Sequence, residues 1–510
     1  MNQRKMGTLL SYAYIIITNT ISLFYTPYML RMMGQSEYGL YGTASSFISY
    51  LSVLNFGIGG AYIRFNARAR ATGDKNEERR LNGMFLSVFA VLSLLVLIIG
   101  LIFIALAGQL VKGTFTPQEL FKLRFIMLIL ILNMMLSFVC NVFMMALQAH
   151  EQFGFIRIVL LIAGVIQPVV NVVALSFGGR SITITFISFV TSILSYIVMF
   201  IYARKVIRFE VLFSGFEKNV LREIFVFSGF LFLNSITDQI TFSTDTVVLS
   251  SVKGTAAVAI YNVGSSFKIY FQSFSTSISS VFAPQVNLLV AQKQSMQKLD
   301  EMFIRVGRIQ FYVISLVLIG YCTIGHDFVC LWAGIDYNDS FYIGLLLMIA
   351  VAVPSFQNVG LEIQKAMNKH KARSIAYLLI ALFNVILTIP MSTKWSGIGA
   401  AVATTICMFI GYTAFMNYYN YKYMKMNIPA FWKSIFSILP GYIPTIIVCI
   451  LIYCFWNINS FQEVLLAALI ISIVFFLSIW KFSMNDYERE LIRKPVRRIL
   501  KTVDICKKGN

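Results

Sequence analysis

The chain has 510 residues, 58% hydrophobic and only 13% charged, with a formal net charge of +20. A soluble domain carries about a quarter charged residues, so the composition excludes an ordinary soluble fold. The basic residues lie between apolar runs and form no basic domain, so the positive charge does not point to nucleic acid.

The apolar runs approach the ~20 residues that cross a ~30 Å hydrocarbon core as a helix. In chain order they predict fourteen spans, at 8–30, 38–62, 82–107, 125–147, 155–177, 182–203, 224–250, 256–282, 309–325, 342–364, 375–391, 397–418, 434–456 and 464–480. The first run is longer than the apolar core of a signal peptide. It ends in Tyr25-Thr-Pro-Tyr28 instead of a small-residue cleavage site, and so reads as span 1. With the N-terminus inside, 34 of the 42 Lys and Arg fall in or beside cytoplasmic segments, seven fall outside, and Lys268 lies within span 8. Positive charge resists translocation, so the expected topology is N-in and C-in. Trp332, Trp395, Trp432, Trp456 and Trp480 all fall at span ends, where amphipathic rings prefer the headgroup level.

The chain repeats itself at an offset of 220 residues. Gly34, Tyr41, Ser45, Ser46, Phe47 and Tyr50 lie over Gly254, Tyr261, Ser265, Ser266, Phe267 and Tyr270, and Ala146 and His150 lie over Ala366 and His370. Span 1 therefore corresponds to span 7, starting on the same side, so the repeat is parallel. The fold class expected is an all-α integral membrane protein with about 14 transmembrane helices. Two six-helix lobes, 1–222 and 223–433, are followed by spans 13 and 14 at 434–481 and a basic cytoplasmic tail at 482–510. Parallel six-span repeats are a transporter architecture.

Four segments stand in a set order relative to the spans: Arg31-Met-Met-Gly-Gln-Ser-Glu-Tyr-Gly-Leu-Tyr41, Leu54-Asn-Phe-Gly-Ile-Gly-Gly-Ala-Tyr-Ile-Arg64, Leu331-Trp-Ala-Gly-Ile-Asp-Tyr337 and Asn368-Lys-His-Lys-Ala-Arg373. They resemble the Wzx-type oligosaccharide flippase and polysaccharide-export family, part of the multidrug/oligosaccharidyl-lipid/polysaccharide exporter superfamily with the lipid II flippases and the MATE multidrug exporters. The resemblance implies fourteen spans and a central cavity bounded by spans 1, 2, 7 and 8. It also implies transport of lipid-linked (undecaprenyl-diphosphate) oligosaccharide for O-antigen or capsule. The partners expected on this reading are that substrate, membrane lipids, and the polysaccharide polymerase and chain-length machinery. A MATE-like cation-coupled drug exporter is the alternative.

Those four spans carry polar stripes. Span 8 has Ser265, Lys268, Gln272, Ser275 and Ser279 at steps of three and four, which keeps them on one helical face. Span 7 has Asn234, Asp238, Thr241 and Asp245, span 1 has Asn19, and span 2 ends near Asn55 and Arg64. Hydrogen bonding between helices explains Ser and Thr stripes as well as a cavity does. An ionisable residue at mid-bilayer costs ~2.5–3.5 kcal/mol and so needs a partner or a task. Lys268, Gln272, Ser265, Asn234, Asn19, Asn55 and Arg64 are candidate cavity residues, and Asp238 and Asp245 are candidates for ion coupling. Asp238 and Lys268 are expected at one depth, where an ion pair is the competing explanation. For Asp245, nearer the outer surface, simple hydration is the competing explanation. The matching first-half positions, Thr18, Tyr25 and Ile48, are uncharged.

No enzyme, cofactor or metal site is expected. The seven Cys form no CxxC, the three His are dispersed, and there is no DxD or GxxxxGK[ST] motif. The tail from Arg489 to Lys501 interleaves basic and aliphatic residues, which predicts a helix lying on an anionic membrane surface.

Overall fold

The computed structural model describes residues 3–491 and 493, apart from 56–57, 112, 215–217, 293, 368 and 370. Among the described residues the chain is helical, with no strand. A segment in lipid has no water for its backbone groups, so it must satisfy them internally, and a helix does so within one span.

Helix α1 (Gln3–Ser49) is two helices joined at Gly34, so it holds span 1 and the start of span 2. Span 2 continues through a 3-10 turn (Tyr50–Asn55) and α2 (Ile58–Thr72). Spans 3 to 9 are α3 (Lys75–Leu110), α4 (Pro117–Ala149), α5 (Phe153–Ser176), α6 (Ser181–Val206), α7 (Lys218–Val252), α8 (Thr255–Ala291) and α9 (Met296–Ala333). Span 10 is shared by α10 (Asp339–Phe356) and α11 (Asn358–Ala366). Helix α12 (Lys371–Met408) holds span 11 and the start of span 12, with a break at Trp395 and Ser396. A π-helical stretch (Phe409–Phe415) and α13 (Met416–Lys422) complete span 12. Span 13 is formed by α14 (Ile428–Phe436) and α15 (Ile443–Phe455), and span 14 by α16 (Phe461–Phe482). Polar caps fix several starts. The Asp74 carboxylate accepts from the backbone N–H of Asn76 and Glu77, and Thr116 and Glu119 form a reciprocal capping box before Pro117.

The repeat is visible in the turns. Gly34 (φ 78°) and Gly254 (φ 81°) both take the left-handed conformation, which costs a glycine no Cβ clash. Further equivalent turns repeat the sign, with Gly113 and Gly334 after spans 3 and 9, Gly178 and Ser396 after spans 5 and 11, and Arg208 and Lys425 after spans 6 and 12.

Two compact units are present, one made of residues 1–263 with 374–404 and the other of 264–373 with 405–510. In the first, α1 packs on α5 and α4, and α4 packs on α3 and α6. Its core includes Tyr62, Phe85, Phe89, Leu123, Ile126 and Met127. Tyr62 meets Phe85 edge-on with ring centres 5.0 Å apart. In the second, α9 is central and contacts α10, α14, α15 and α16. Phe303 of α9 stacks on Phe431 of α14 at 4.4 Å.

Candidate functional site

Asp245, on α7 of the first unit, is a carboxylate held by three side-chain hydroxyls. It is 1% exposed, which removes simple hydration as the competing explanation. The reason is that neighbouring helices supply hydroxyls that replace water. Oδ2 accepts from the Tyr261 hydroxyl of α8 and from Thr404 Oγ1 of α12 at 2.7 Å. Oδ1 accepts from Thr388 Oγ1 at 3.2 Å. Asn384 completes the cage: its Nδ2 donates to Thr404 Oγ1 at 3.1 Å, and its Oδ1 lies within 3.4 Å of both threonine hydroxyls. Hydroxyls and one amide thus face the carboxylate. Rotating the hydroxyls would turn lone pairs toward a small cation. Hard oxygen donors of this kind suit an alkali-like or alkaline-earth ion. Asn384 and Thr388 stand one turn apart on span 11, a spacing legible in the sequence but not singled out there. Thr404, beside Thr405 at the end of an alanine-rich stretch, gave no signal.

A second polar seam in this unit joins the end of α1 to α7. Ser49 Oγ lies 3.0 Å from Ser243 Oγ and accepts from Gln239 Nε2 at 2.6 Å, and the Tyr50 hydroxyl lies 2.7 Å from Thr244 Oγ1. At the turns holding Gly34 and Gly254, Glu119 Oε1 accepts from Ser36 Oγ at 2.6 Å and from Thr255 Oγ1 at 3.2 Å. The nearby Glu37, 5% exposed, pairs with Lys122 and accepts from Ser181.

At the opposite ends of these helices, His150 caps α4. Its Nε2 lies 3.4 Å from Glu78 Oε1, and Arg70 donates to the neighbouring Ala149 carbonyl. Burial, seconded by the Arg70 charge, pushes its pKa below the usual histidine value.

In the second unit the span 8 stripe divides. Ser275 and Ser279 are buried by hydrogen bonds between helices, as hydrogen bonding explains such stripes. Gln310 Nε2 donates to Ser275 O at 3.0 Å, Asn358 Nδ2 donates to Ser279 Oγ at 3.1 Å, and Ser275 Oγ donates to the Ser355 carbonyl. Lys268 is also buried, at 4% exposure, while Ser265 and Gln272 are half-buried.

The other candidates are scattered. Asn19 is half-buried on α1, and Arg64 is exposed on α2. Asn55 is half-buried, with Oδ1 buried and lacking a hydrogen-bond partner among the described residues. The side chains of Asn234 and Asp238 lie outside the described ones, as do His370 and the tail beyond residue 493. Cys140, Cys322, Cys330, Cys449 and Cys454 form no disulfide among the described residues.

Residues 5–289 match the family model described as polysaccharide biosynthesis protein, more than half of the chain. The chain belongs to that family. Over 501 residues it is 19% identical to the membrane protein EpsK of Bacillus subtilis (strain 168), covering 95% of this chain and 96% of EpsK. It is 28% identical over 208 residues to a membrane protein in the cps region of Klebsiella pneumoniae, covering 40% of this chain and 42% of that protein. Among solved structures, the lipid II flippase MurJ in an inward closed conformation aligns with a TM-score of 0.72 at 17% identity, over 92% of this chain and 98% of MurJ. An inward-facing MATE family multidrug resistance transporter aligns with a TM-score of 0.59 at 13% identity, over 81% of this chain and 99% of that one. The fold of this polysaccharide biosynthesis family member is thus that of these transporters, and it is a multi-pass membrane protein.

Proposed function

We propose that this protein is a flippase that moves undecaprenyl-diphosphate-linked oligosaccharide across the cytoplasmic membrane for O-antigen or capsule synthesis, by alternating access. On this reading both termini are cytoplasmic, the repeat divides the chain into lobes at 1–222 and 223–433, and no chemical step is catalysed. The polysaccharide polymerase and chain-length machinery act on what it delivers. The observation that carries the reading is the Asp245 cage inside a transporter fold: a buried carboxylate met by three hydroxyl donors. An ionisable group kept within a span at such cost marks an ion pathway. We assign Asp245 to the coupling cation, with Asn384, Thr388, Thr404 and Tyr261 as neutral partners. Lys268, the one basic residue interior to span 8, is assigned to the diphosphate, with Gln272 and Ser265 on the same face. Asn19, Asn55, Asn234 and Arg64 remain assigned to the glycan path, and Asp238 to the ion path.

The test is export in a strain lacking the gene, scored by lipid-linked glycan on each leaflet. The protein should restore outer-leaflet glycan, and Asp245→Asn should lose it at unchanged protein abundance. Lys268→Ala should abolish export and Lys268→Arg should retain some. If Asp238→Asn rescues Lys268→Ala, the two are a structural pair. The MATE neighbour favours one second reading, cation-coupled drug export. Under it, the deletion strain would gain drug sensitivity and keep normal glycan on the outer leaflet.

A further inference from the structure

The first turns after α16 do not leave the protein. Residues 484–491 fold back beside α9 and α16, where Met484, Glu488 and Leu491 close one end of a groove of about 480 Å³. Ile309, Val313 and Leu316 line it from α9, and Phe475, Phe476 and Ile479 from α16. The α9 positions follow one helical face for about 10 Å at 1.5 Å per residue.

Cations gather at the closed end. Arg305 is one turn before Ile309 on α9, and its guanidinium lies 4.3 Å from the ring centre of Tyr487. Lys481 is two residues beyond Ile479, with its ammonium 5.3 Å from the Phe482 ring. Arg493 is two residues beyond Leu491 and lies over Trp480 at 5.4 Å. Each is thus steadied by an aromatic face, which holds a cation without neutralising it. The acids of this corner are partly committed. Glu488 is buried against Arg308, and Asp486 lies 3.7 Å from Arg489. Counting Arg305 and Arg308 with residues 481–493, five cations stand against three acids, and the sequence beyond adds six Lys and Arg and one Asp.

An apolar crevice that ends in aromatic-held cations matches a molecule with an acyl chain and an anionic phosphate. We propose that this corner binds one acidic phospholipid of the surrounding membrane, with an acyl chain in the α9–α16 groove and its phosphate among Arg305, Lys481 and Arg493. Occupancy would pin the start of the basic tail to the bundle.

The experiment is native mass spectrometry of the full chain, released from vesicles holding equal dioleoylphosphatidylglycerol and dioleoylphosphatidylcholine. Near a membrane surface each basic residue contributes enough to shift binding severalfold. The first lipid retained should therefore favour phosphatidylglycerol by about tenfold. The triple variant Arg305→Gln/Lys481→Gln/Arg493→Gln should reduce that preference to about twofold or less. Val313→Trp fills the groove and leaves the cations in place, so it should lose the tightly held lipid. Equal retention of the two lipids by the unaltered chain would overturn the proposal. A preference untouched by Val313→Trp would overturn it too, because it would mean diffuse attraction to the tail without a seated chain.

Discussion

The buried pair that holds the tail in place offers a quantitative test. Arg308 and Glu488 are 7% and 3% exposed. The guanidinium donates Nη1 to Ser434 O at 2.9 Å and Nη2 to Ser483 O at 3.0 Å and Glu488 Oε2 at 3.1 Å, with Nε donating to Glu488 Oε1. The Tyr312 hydroxyl donates to Glu488 Oε2 at 3.1 Å. Glu488→Gln keeps the shape and one acceptor but leaves Arg308 as a buried cation without its counter-charge. Removing one partner of such a pair costs ~3–5 kcal/mol. The retained amide oxygen and the two backbone carbonyls place this case at the low end, about 3 kcal/mol, or about a hundredfold in the open population of the tail. Trypsin cleavage after Arg489 and Arg493 in the purified protein reads that population when opening is faster than cleavage. Cleavage should therefore quicken by about a hundredfold in Glu488→Gln. It should quicken by less than the product of the two single effects in Arg308→Gln/Glu488→Gln, since the double variant leaves no lone charge. Unchanged cleavage in Glu488→Gln, or strictly multiplicative effects, would refute the pairing argument.

Three further outcomes follow from packing and hydrogen bonding. Thr404→Val removes the 2.7 Å donor to Asp245 at nearly constant volume and should lower thermal stability by ~1–3 kcal/mol, with Thr388→Val, at 3.2 Å, costing less. Equal melting temperatures for Thr404→Val and the unaltered chain would show that the bond carries no weight. A Cβ at Gly39 would lie 1.9 Å from the Thr255 carbonyl oxygen, a backbone atom that no rotamer change relieves. Gly39→Ala should therefore melt well below Gly34→Ala, whose left-handed backbone costs ~1–2 kcal/mol and whose Cβ meets nothing; the reverse order would contradict the close approach of α1 and α8. His150 has a lowered folded-state pKa, so below the ordinary value of about 6.5 the unfolded chain binds a proton that the folded chain does not. Stability should fall as pH drops from 6.5 toward the folded value, and a His150→Asn variant should lack that slope in melting temperature against pH.

Much of the architecture was legible in the sequence because the bilayer leaves few choices. An apolar run of the right length has to be a helix, since its backbone has no other partner. All fourteen predicted spans accordingly fall on helices where the chain is described, and the 220-residue repeat reappears as paired left-handed turns at Gly34 and Gly254. The family was also readable, from segments beside those spans. The polar contacts were a different matter. A threonine in an apolar helix looks the same in sequence whether its hydroxyl returns to its own helix or reaches a distant carboxylate. Thr241 donates to the Thr237 carbonyl at 2.8 Å, while Thr404 donates to Asp245 across 159 residues of chain. Stripe spacing likewise placed Ser275 and Ser279 on one face with Lys268 but did not say that Gln310 and Asn358 would consume them. Glu488 reads as one of four acids in a basic tail, and only the return of that tail beside α9 gives it Arg308. Helix formation is a local consequence of composition, whereas these hydrogen bonds depend on which faces of separate helices come within about 3 Å, and packing alone sets that.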